Sequence, residues 1–236
     1  ETLIQRNLDK DSINKRTLQV FSKLWFRNMK KNLRFLGEKR GINLYKDSAN
    51  TLPALLVAAG PSLDRILPLL NEIKKRCIII AVDTALRSML AVGVEPHFVV
   101  LSDPQFYNAR HLDRLKAPNT ILVTELAAYP SVFRFNCKKI VLCASQFPNG
   151  KEIEQAAGFS TDQIGDLGSG GSVASCCWNF AVFAGAKKIF LMGLDLSFPG
   201  GQTHIKGSSA EQTWHTKSNR LANSDKFTTE LLHNAN

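Results

Sequence analysis

The stretch IIIAVDTALRSMLAVGVEPHFVVLSDPQ, residues 78–105, decides the fold, because an apolar β-rich run is followed by a helical segment and then by a second apolar run. Neither apolar run alternates with polar residues, which is typical of strands that are covered on both faces. The same alternation of strand and helix extends over residues 51–200. We therefore predict an α/β fold with a Rossmann-like, mostly parallel sheet and helices on both faces.

Six strands are predicted from such apolar runs. They are Ala54–Ala59, Cys77–Val82, Phe98–Leu101, Ile121–Thr124, Ile140–Ala144 and Ile189–Met192. Helices are expected at residues 62–75, 84–92 and 172–184, and a further helix over 12–36, where apolar residues recur at three- and four-residue steps.

These assignments divide the chain into three parts. Residues 1–50 are expected to be a basic N-terminal helical extension, 51–207 the Rossmann-like domain, and 208–236 a polar C-terminal segment that is cut short inside a larger protein. The first part holds twelve Lys and Arg against five Asp and Glu, which is +7 of the net +10. Such a segment is typical of a solvated helical face, and a contact with an anionic partner or a neighbouring domain is the alternative.

Composition excludes several classes of protein. Of the 236 residues, 44% are hydrophobic and 21% are charged, as in an ordinary globular chain. No run of about 18 uninterrupted apolar residues occurs, so we expect no membrane span. The five cysteines show no CxxC spacing, which favours reduced thiols in a cytoplasmic protein. No helix-turn-helix spacing or aromatic-rich basic strand is present, so no nucleic-acid partner is expected.

Ligands bind outside the carboxyl ends of the strands in an open parallel sheet, so the residues after each strand are candidates. The first predicted strand leads into Gly60, Pro61, Ser62 and Leu63. Free amides at a helix start, together with the serine hydroxyl, could hold a phosphate there. The alternative is a plain strand-to-helix connection, for which proline at the first helical position is also suited.

Carboxylates follow the next strands. Asp83 follows the second predicted strand, Asp103 the third with Gln105 close behind, Glu125 the fourth and Asp195 the last. At one shared edge they could surround a sugar, a ribose or a divalent cation. Capping of the helices that follow is the alternative, above all for Asp83. Proline follows Asp103 and places that residue on an extended loop.

The segment 167–173 is the densest signal for an anion site. Ser169, Gly170, Gly171 and Ser172 precede an apolar helix, so its unpaired amides and two hydroxyls are available to a phosphate or a carboxylate. A flexible connection is the alternative.

The loop after the last strand adds a titratable side chain. His204 and Lys206 could present an imidazole and a cation to the same crevice. The ordinary pKa of histidine, about 6.5, suits acid–base chemistry, although a lone surface histidine is usually inert. The candidate catalytic residues are therefore His204, Asp103 and Asp195, whereas the two turns, Asp83, Gln105 and Lys206 are candidates for binding a nucleotide or phosphate.

Four segments together resemble one superfamily. They are PALLVAAGPSLD (53–64), the stretch 78–105 quoted above, GSGGSVAS (168–175) and IFLMGLDLSFPGGQTHIKG (189–207). In this order they resemble the superfamily that joins bacterial motility accessory factors, which are glycosyltransferase-like proteins that modify flagellin, with archaeal 6-hydroxymethylpterin diphosphokinases. The basic helical stretch with Trp25, Asn28 and Asn32 also resembles the segment that precedes the domain in accessory factors.

The resemblance implies transfer of a nonulosonic, sialic-acid-like sugar from a CMP-activated donor to Ser or Thr of a protein such as flagellin. The core also looks similar to that of bacterial sialyltransferases, which implies that the turn from Gly60 to Leu63 lies beside the nucleotide. Gly170, Gly171 and Ser172 would then face its phosphate or the sugar carboxylate, and His204 would be the base for the acceptor hydroxyl.

The pterin branch implies a different reaction, in which diphosphate passes from ATP to a pterin hydroxymethyl group. Mg²⁺ would be held there by Asp103 with Asp83 or Asp195. The N-terminal helical segment, which the compact archaeal enzymes lack, favours the flagellin-modification branch. A non-catalytic module that binds a nucleotide or a glycan is the third alternative.

Overall fold

A computed structural model of the protein describes residues 20–38, 40–147, 150–168 and 171–218. Seven strands in these ranges form one sheet, and every neighbouring pair is parallel. In chain order they are β1 (Arg40–Gly41), β2 (Ala54–Val57), β3 (Ile78–Val82), β4 (Phe98–Val100), β5 (Lys116–Thr124), β6 (Asn136–Leu142) and β7 (Ile189–Met192). Their order across the sheet is β1-β6-β5-β4-β3-β2-β7.

Helices alternate with the strands along the chain. Residues 20–32 are helical and are named α1. The others are α2 (Leu70–Lys74), α3 (Asp83–Ala91), α4 (Phe106–Ala109), α5 (Gly150–Ala156), α6 (Thr161–Ile164), α7 (Val173–Phe183) and α8 (Ser209–Lys217). Among the described residues, no helix is long and apolar enough to cross a membrane. The predicted α/β fold with a parallel, Rossmann-like sheet is confirmed.

All six strands predicted from apolar runs are present. β7 has the predicted bounds, and β2, β3 and β4 differ from the prediction by one or two residues. β5 and β6 begin earlier than predicted, at Lys116 and Asn136. Their first residues are largely exposed and polar, so no apolar run marks where these strands begin. β1 was not predicted, since a strand of two residues leaves no periodic signal.

The predicted helices are confirmed with one break. α3 and α7 match the predicted 84–92 and 172–184 closely, and α1 falls within the predicted 12–36, of which 12–19 lie outside the described residues. The helix predicted over 62–75 is instead two short 3₁₀ turns followed by α2, because Pro68 has no amide hydrogen and interrupts the helical ladder.

Both faces of the central strands are buried, whereas Phe190 and Leu191 of the edge strand β7 are exposed. Val99 of β4 lies in one hydrophobic cluster with Met29 of α1 and Leu86 of α3. The next residue, Val100, lies in the other cluster with Phe180 of α7. Successive side chains of a strand point to opposite faces, so helices cover the sheet on both sides, as the continuous apolar runs predicted.

The described part of the N-terminal segment packs on the sheet. Met29 and Ile42 are fully buried, and β1 pairs with β6 at the edge opposite β7. The chain then crosses to β2, where Tyr45 contacts Phe98 and Phe180 edge-on. The division of the chain at residues 50 and 207 stays a prediction.

Candidate functional site

A cavity lies where the order of the strands reverses. From β2 the chain adds β3, β4, β5 and β6 in one direction, and it then returns to place β7 on the other side of β2. The cavity, of about 420 Å³, opens at the carboxyl ends of β2, β3 and β7. Ligands bind at such a reversal in open α/β sheets. Its lining includes Gly60, Asp83, Val173, Ala174, Asp195 and His204.

The turn after β2 is joined to the loop after β7. The Gly60 amide donates to the Gly193 carbonyl at 2.7 Å, and the Ser62 amide donates to Asp195 Oδ2 at 3.0 Å. A Cβ at position 60 would overlap the Asp195 carboxylate and lie 2.5 Å from Gly193 O, so only glycine fits. Because Asp195 already accepts from the Ser62 amide, that amide is not available to a phosphate in this arrangement.

The loop that carries His204 is anchored on both sides of the histidine. The Ile205 amide donates to the Ala59 carbonyl at 2.7 Å, and the Ile205 side chain is fully buried. The Ser88 hydroxyl of α3 donates to the Lys206 carbonyl at 3.2 Å. These contacts hold His204 in the wall of the cavity, with Nδ1 3.1 Å from the Thr203 hydroxyl. Burial lowers the pKa of His204 below its ordinary value, so the imidazole is neutral at neutral pH.

The N-terminus of α7 reaches the same edge of the sheet. The Ser172 hydroxyl accepts from the Ser175 amide and caps the helix. Gly171, with φ of 75°, adopts a left-handed conformation, and a Cβ there would meet nothing within 4 Å. Ser169 and Gly170, which were predicted to join this turn, lie outside the described residues.

A second, smaller cavity adjoins this helix on the side of β4, β5 and β6. It measures about 160 Å³, and Gly171, Cys176, Cys143 and Glu125 are among its lining residues. The first turn of α7 therefore separates two cavities, since Val173 and Ala174 line the larger one.

Three carboxylates that were predicted to share an edge lie near one another. Burial, with the charge of Asp103 nearby, raises the pKa of Asp83 to about 7. The same two causes raise the pKa of Glu125 to about 7, although hydrogen bonds from Ser145 and Gln146 oppose the shift. Asp103 therefore lies within electrostatic reach of both buried carboxyls, and its own Oδ1 accepts from the Gln105 amide at 2.7 Å.

The described carboxylates do not form a ready magnesium cage. Within the described ranges, no three or more His, Cys, Asp or Glu side chains are grouped so that they could hold a metal ion. Asp195 accepts from Ser62, and burial favours the protonated form of Asp83, which is a poor ligand. The expected binding of Mg²⁺ by Asp103 with Asp83 or Asp195 thus finds no preformed arrangement and stays a prediction.

Several predicted binding residues do not line the larger cavity, among them Pro61, Ser62, Leu63, Gln105 and Lys206. Leu63 has no exposed surface and belongs to the core beneath the turn, whereas we expected it beside the nucleotide. Lys206 is exposed, and its loop contributes Thr203 and His204 to the cavity wall. Pro61 begins the 3₁₀ turn as predicted, with Gly60 before it.

Asp166 organises the glycine-rich turn, and the sequence alone did not single it out. Its carboxylate accepts from Lys151 Nζ at 2.6 Å, from Gln146 Nε2 at 2.6 Å and from the Gly168 amide at 2.7 Å. Although partial burial alone would raise the pKa of Asp166, these hydrogen bonds lower it below its ordinary value. The spacing of Asp166 and Gly168, an aspartate two positions before a glycine, is typical of an Asx turn and could have predicted this role.

Two buried asparagines hold the loops that carry the carboxylates. Asn28 Nδ2 of α1 donates to the carbonyls of Pro104 and Ala127, at 2.9 and 3.0 Å. Asn32 Nδ2 donates to the carbonyls of the residues on either side of Ala127, both at 2.8 Å. Pro104 directly follows Asp103, so α1 fixes the loop after β4 as well as the loop after β5.

The family follows from the sequence match. The profile of the family described as "6-hydroxymethylpterin diphosphokinase MptE-like" matches residues 25–201, which is most of the chain. The chain belongs to the MptE-like family. The matched range covers the described residues of α1 from Trp25, all seven strands and the glycine-rich turn before α7.

Uncharacterized proteins of Treponema pallidum (strain Nichols) are similar to this MptE-like chain. One is 36% identical over 154 residues, which are 61% of this chain and 39% of that protein. Another is 26% identical over 171 residues, 72% of this chain and 30% of that protein. The chain thus spans well under half the length of these relatives.

A solved structure has the same fold as this MptE-like chain. The MAf glycosyltransferase from Magnetospirillum magneticum AMB-1 superposes with a TM-score of 0.55 and 21% sequence identity, over 72% of this chain and 27% of that one. At this identity the likeness shows the fold alone. With the match of the family profile, it confirms the predicted resemblance to motility accessory factors and MptE-like proteins.

Proposed function

We propose that the chain contains the donor-binding core of a glycosyltransferase that moves a nonulosonic sugar from a CMP-activated donor to a protein hydroxyl. The observation that carries the proposal is the cavity at the reversal of strand order, into which a glycine turn, a helix N-terminus and a neutral histidine converge. The fold shared with a glycosyltransferase and the membership of the MptE-like family support it.

The N-terminus of α7 is suited to the anionic part of the donor. The amides of Val173 and Ala174 open a helix of eleven residues and line the cavity, and such amides favour phosphate and carboxylate groups. Gly171, which lines the smaller cavity on the other side of this turn, leaves open space in which a ligand can approach the backbone closely. The Gly60 turn, braced by Asp195, forms the facing wall.

His204 is suited to activate the acceptor. Neutral imidazole accepts the proton of the serine or threonine hydroxyl, whose oxygen then forms a bond to the anomeric carbon. The bond between that carbon and the phosphate oxygen of CMP breaks, and its electron pair leaves with the phosphate. Among the described residues, His204 Nε2 has no hydrogen-bond partner, which leaves it available for this proton.

A Mg²⁺-dependent 6-hydroxymethylpterin diphosphokinase that uses ATP is the second candidate. The description of the family supports it, as does the position of Asp103 beside Asp83 at the strand ends. In that reaction Asp103 and Asp83 would hold the cation, which would neutralise the charge on the transferred phosphates. A module that binds a nucleotide without turnover would use the same cavity.

A thermal-shift comparison of CMP, CTP, ATP and GTP, each with and without Mg²⁺, tests the proposal. A ligand that binds only the folded state at one hundred times its Kd adds about 2.7 kcal/mol of stability. We expect CMP to raise the Tm of the wild type without Mg²⁺, and Gly171→Val, a branched side chain at a left-handed position, to lose this shift. Stabilisation by ATP alone, and only with Mg²⁺, would overturn the sugar-transfer proposal in favour of the diphosphokinase.

Release of CMP from CMP-N-acetylneuraminate separates catalysis from binding. We expect slow release by the wild type, faster release with a serine- and threonine-rich flagellin as acceptor, and neither with His204→Gln. Binding of CMP with no release under either condition would favour the non-catalytic module. The proposal takes flagellin as the acceptor protein and the cytoplasm as the place of the reaction.

A further inference from the structure

A second large cavity lies beside the candidate active site, between α3, the segment after β4, and α8. Its volume is about 570 Å³, which exceeds that of the cavity at the strand reversal. Three arginines line it, Arg87 of α3 together with Arg110 and Arg114, against one carboxylate, Asp113. The remaining wall is built from polar side chains of α8 and from Tyr107, Asn108 and His111.

Among the described residues of this wall, the single carboxylate is already paired. Arg110 Nε lies 3.5 Å from Asp113 Oδ2, and both side chains are more than half exposed. Over the ranges that the structure describes, neither Arg87 nor Arg114 has a carboxylate within ion-pair distance. Two guanidinium groups therefore face this space without an anionic partner.

Arg87 is held in place with one donor left over. Its Nη2 donates to the Asp113 carbonyl at 2.9 Å, which ties α3 to the loop after α4. Its Nε is buried and has no hydrogen-bond partner among the described residues. Buried donors in native proteins are nearly always satisfied, so this N–H, although shielded from solvent in the structure, is an unmet donor beside the cavity.

His111 lies in the wall of this cavity, and its Nδ1 is hydrogen-bonded with the Ser209 hydroxyl of α8. Burial, with His204 and Arg87 within electrostatic reach, lowers the pKa of His111 to about 4. A negative charge bound near His111 would oppose this shift.

The cavity lined by Arg87, Arg110 and Arg114, named the cationic cavity, adjoins the candidate active site. Asn108 lines both cavities, and His204, in the wall of the first, lies within electrostatic reach of His111 in the wall of the second. A ligand bound in the first cavity therefore lies next to the second.

We propose that the cavity lined by Arg87, Arg110 and Arg114 is a binding site for an oxyanion, a phosphate or a carboxylate carried by a ligand that extends from the cavity at the strand reversal. The planar guanidinium fork matches both anions, in which two oxygens accept two parallel N–H bonds. The site goes beyond the proposed transfer reaction, because it does not depend on which bond is made or broken.

Calorimetric titration at constant ionic strength tests the proposal with two probes. Pyrophosphate represents the phosphate source, and N-acetylneuraminate represents a carboxylate without phosphate. We expect at least one probe to bind the wild type and Arg114→Gln to weaken that probe about tenfold, which is about 1.4 kcal/mol. The probe with the lower Kd identifies the source of the anion.

Two further variants keep the test sharp. Arg87→Gln is expected to weaken the same probe at least as much, and Arg114→Gln, at an exposed position, carries the test if Arg87→Gln does not fold. Arg76→Gln, an exposed arginine in the turn after α2, is the matched control and is expected to change the Kd less than twofold. Absence of binding by both probes, or equal weakening by Arg76→Gln and Arg114→Gln, would overturn the proposal.

The imidazole of His111 reports the position of the anion. Binding in the cationic cavity should raise the pKa of His111 in an NMR titration, because a negative charge beside Arg87 opposes the depression. Its resonance is assigned with His111→Gln. A probe that binds without moving this pKa occupies another site, which would also overturn the proposal.

Discussion

The main-chain amide of Ser62 donates a hydrogen bond to Asp195 Oδ2 at 3.0 Å, and this bond joins the turn after β2 to the loop after β7. The two residues lie 133 positions apart in the chain. They meet because β7 returns to the side of β2 at which the strand order reverses. The wall of the candidate donor site is therefore a contact between the loops that follow the second and the last strand of the described sheet.

Gly60→Ala should destabilise the protein by about 1–3 kcal/mol, the range for overpacking. The new Cβ would overlap the Asp195 carboxylate and approach the Gly193 carbonyl, which is fixed backbone. Chemical denaturation measures the loss. Gly37→Ala is the control, since a Cβ there meets nothing within 4 Å, and it should change stability by less than about 0.5 kcal/mol. Equal stability of the two variants would show that the turn is not tightly packed.

Asp195→Ala and Asp195→Asn should separate the two roles of this carboxylate. The alanine variant loses the acceptor for Ser62 and should cost about 1–2 kcal/mol, whereas asparagine keeps an acceptor oxygen and should restore most of that stability. We expect turnover to stay at least about tenfold low in both variants, because both lack the charge beside the reacting groups. Wild-type turnover in Asp195→Asn would make Asp195 a positioning residue only.

Stability should fall with rising pH, and Asp83 should account for part of the fall. Its pKa is about 7 in the folded state and near 4 in the unfolded chain, so the folded state binds more protons between these values. Unfolding then releases protons, and the free energy of unfolding decreases by up to about 1.4 kcal/mol per pH unit in that window. The decrease ends once pH exceeds about 7.

Asp83→Asn should flatten this pH dependence, which denaturation at about pH 5 and about pH 8 measures. The exposed Asp162 supplies the matched control, because Asp162→Asn removes an acidic group at the surface. An unchanged slope in Asp83→Asn would mean that Asp83 ionises as freely in the folded protein as in the unfolded chain.

His204→Gln should reduce kcat by about 10²–10⁴, the usual contribution of a general base, and leave the Kd for CMP nearly unchanged. Because burial holds the pKa of His204 below its ordinary value, the acidic limb of the wild-type rate profile should lie below about pH 6.5. Stopped assays of CMP release across pH give both quantities. A variant that loses CMP affinity but keeps kcat would assign His204 to binding.

Asn28→Ala should destabilise the protein by about 1–3 kcal/mol, because it leaves the carbonyls of Pro104 and Ala127 without their donor. It should also reduce turnover, because the hydrogen bond from Asn28 to the Pro104 carbonyl anchors the loop that carries Asp103. Asn71→Ala, on the exposed face of α2, is the control and should be neutral or slightly stabilising, as alanine favours helix. A stable Asn28→Ala with normal turnover would show that α1 does not position this loop.

The parallel sheet could be predicted because its central strands are short, continuous apolar runs. β1 could not be predicted, since it has two residues and is defined only by its partner β6. The break in the helix predicted over 62–75 could also have been predicted, because Pro68 has no amide hydrogen to continue a helix. The position of the site followed from the rule for strand ends, which needs only the fold class.

The contacts inside the site were beyond the sequence. The Ser62 amide was expected to face a phosphate, and Asp195 was expected to be a catalytic residue or a ligand of Mg²⁺ rather than the partner of that amide. Leu63 was assigned to the ligand by resemblance, although the 3₁₀ turn buries it completely. The arginines of the cationic cavity are spaced 23 and 4 residues apart, at 87, 110 and 114, and form no local pattern. Residues that only the tertiary fold brings together show no regular spacing in the sequence from which a site could be predicted.

The pairing of Arg40 with Val141 constrains the order in which the strands of the sheet can pair during synthesis. Residue 40 is synthesised about one hundred residues before its partner in β6. Contacts between residues so far apart in the sequence form late, because a long loop must close first. During synthesis, β3, β4, β5 and β6 can each dock on the strand made just before, whereas β1 must wait for β6. β1, which is synthesised before β2, is thus among the last strands to be paired.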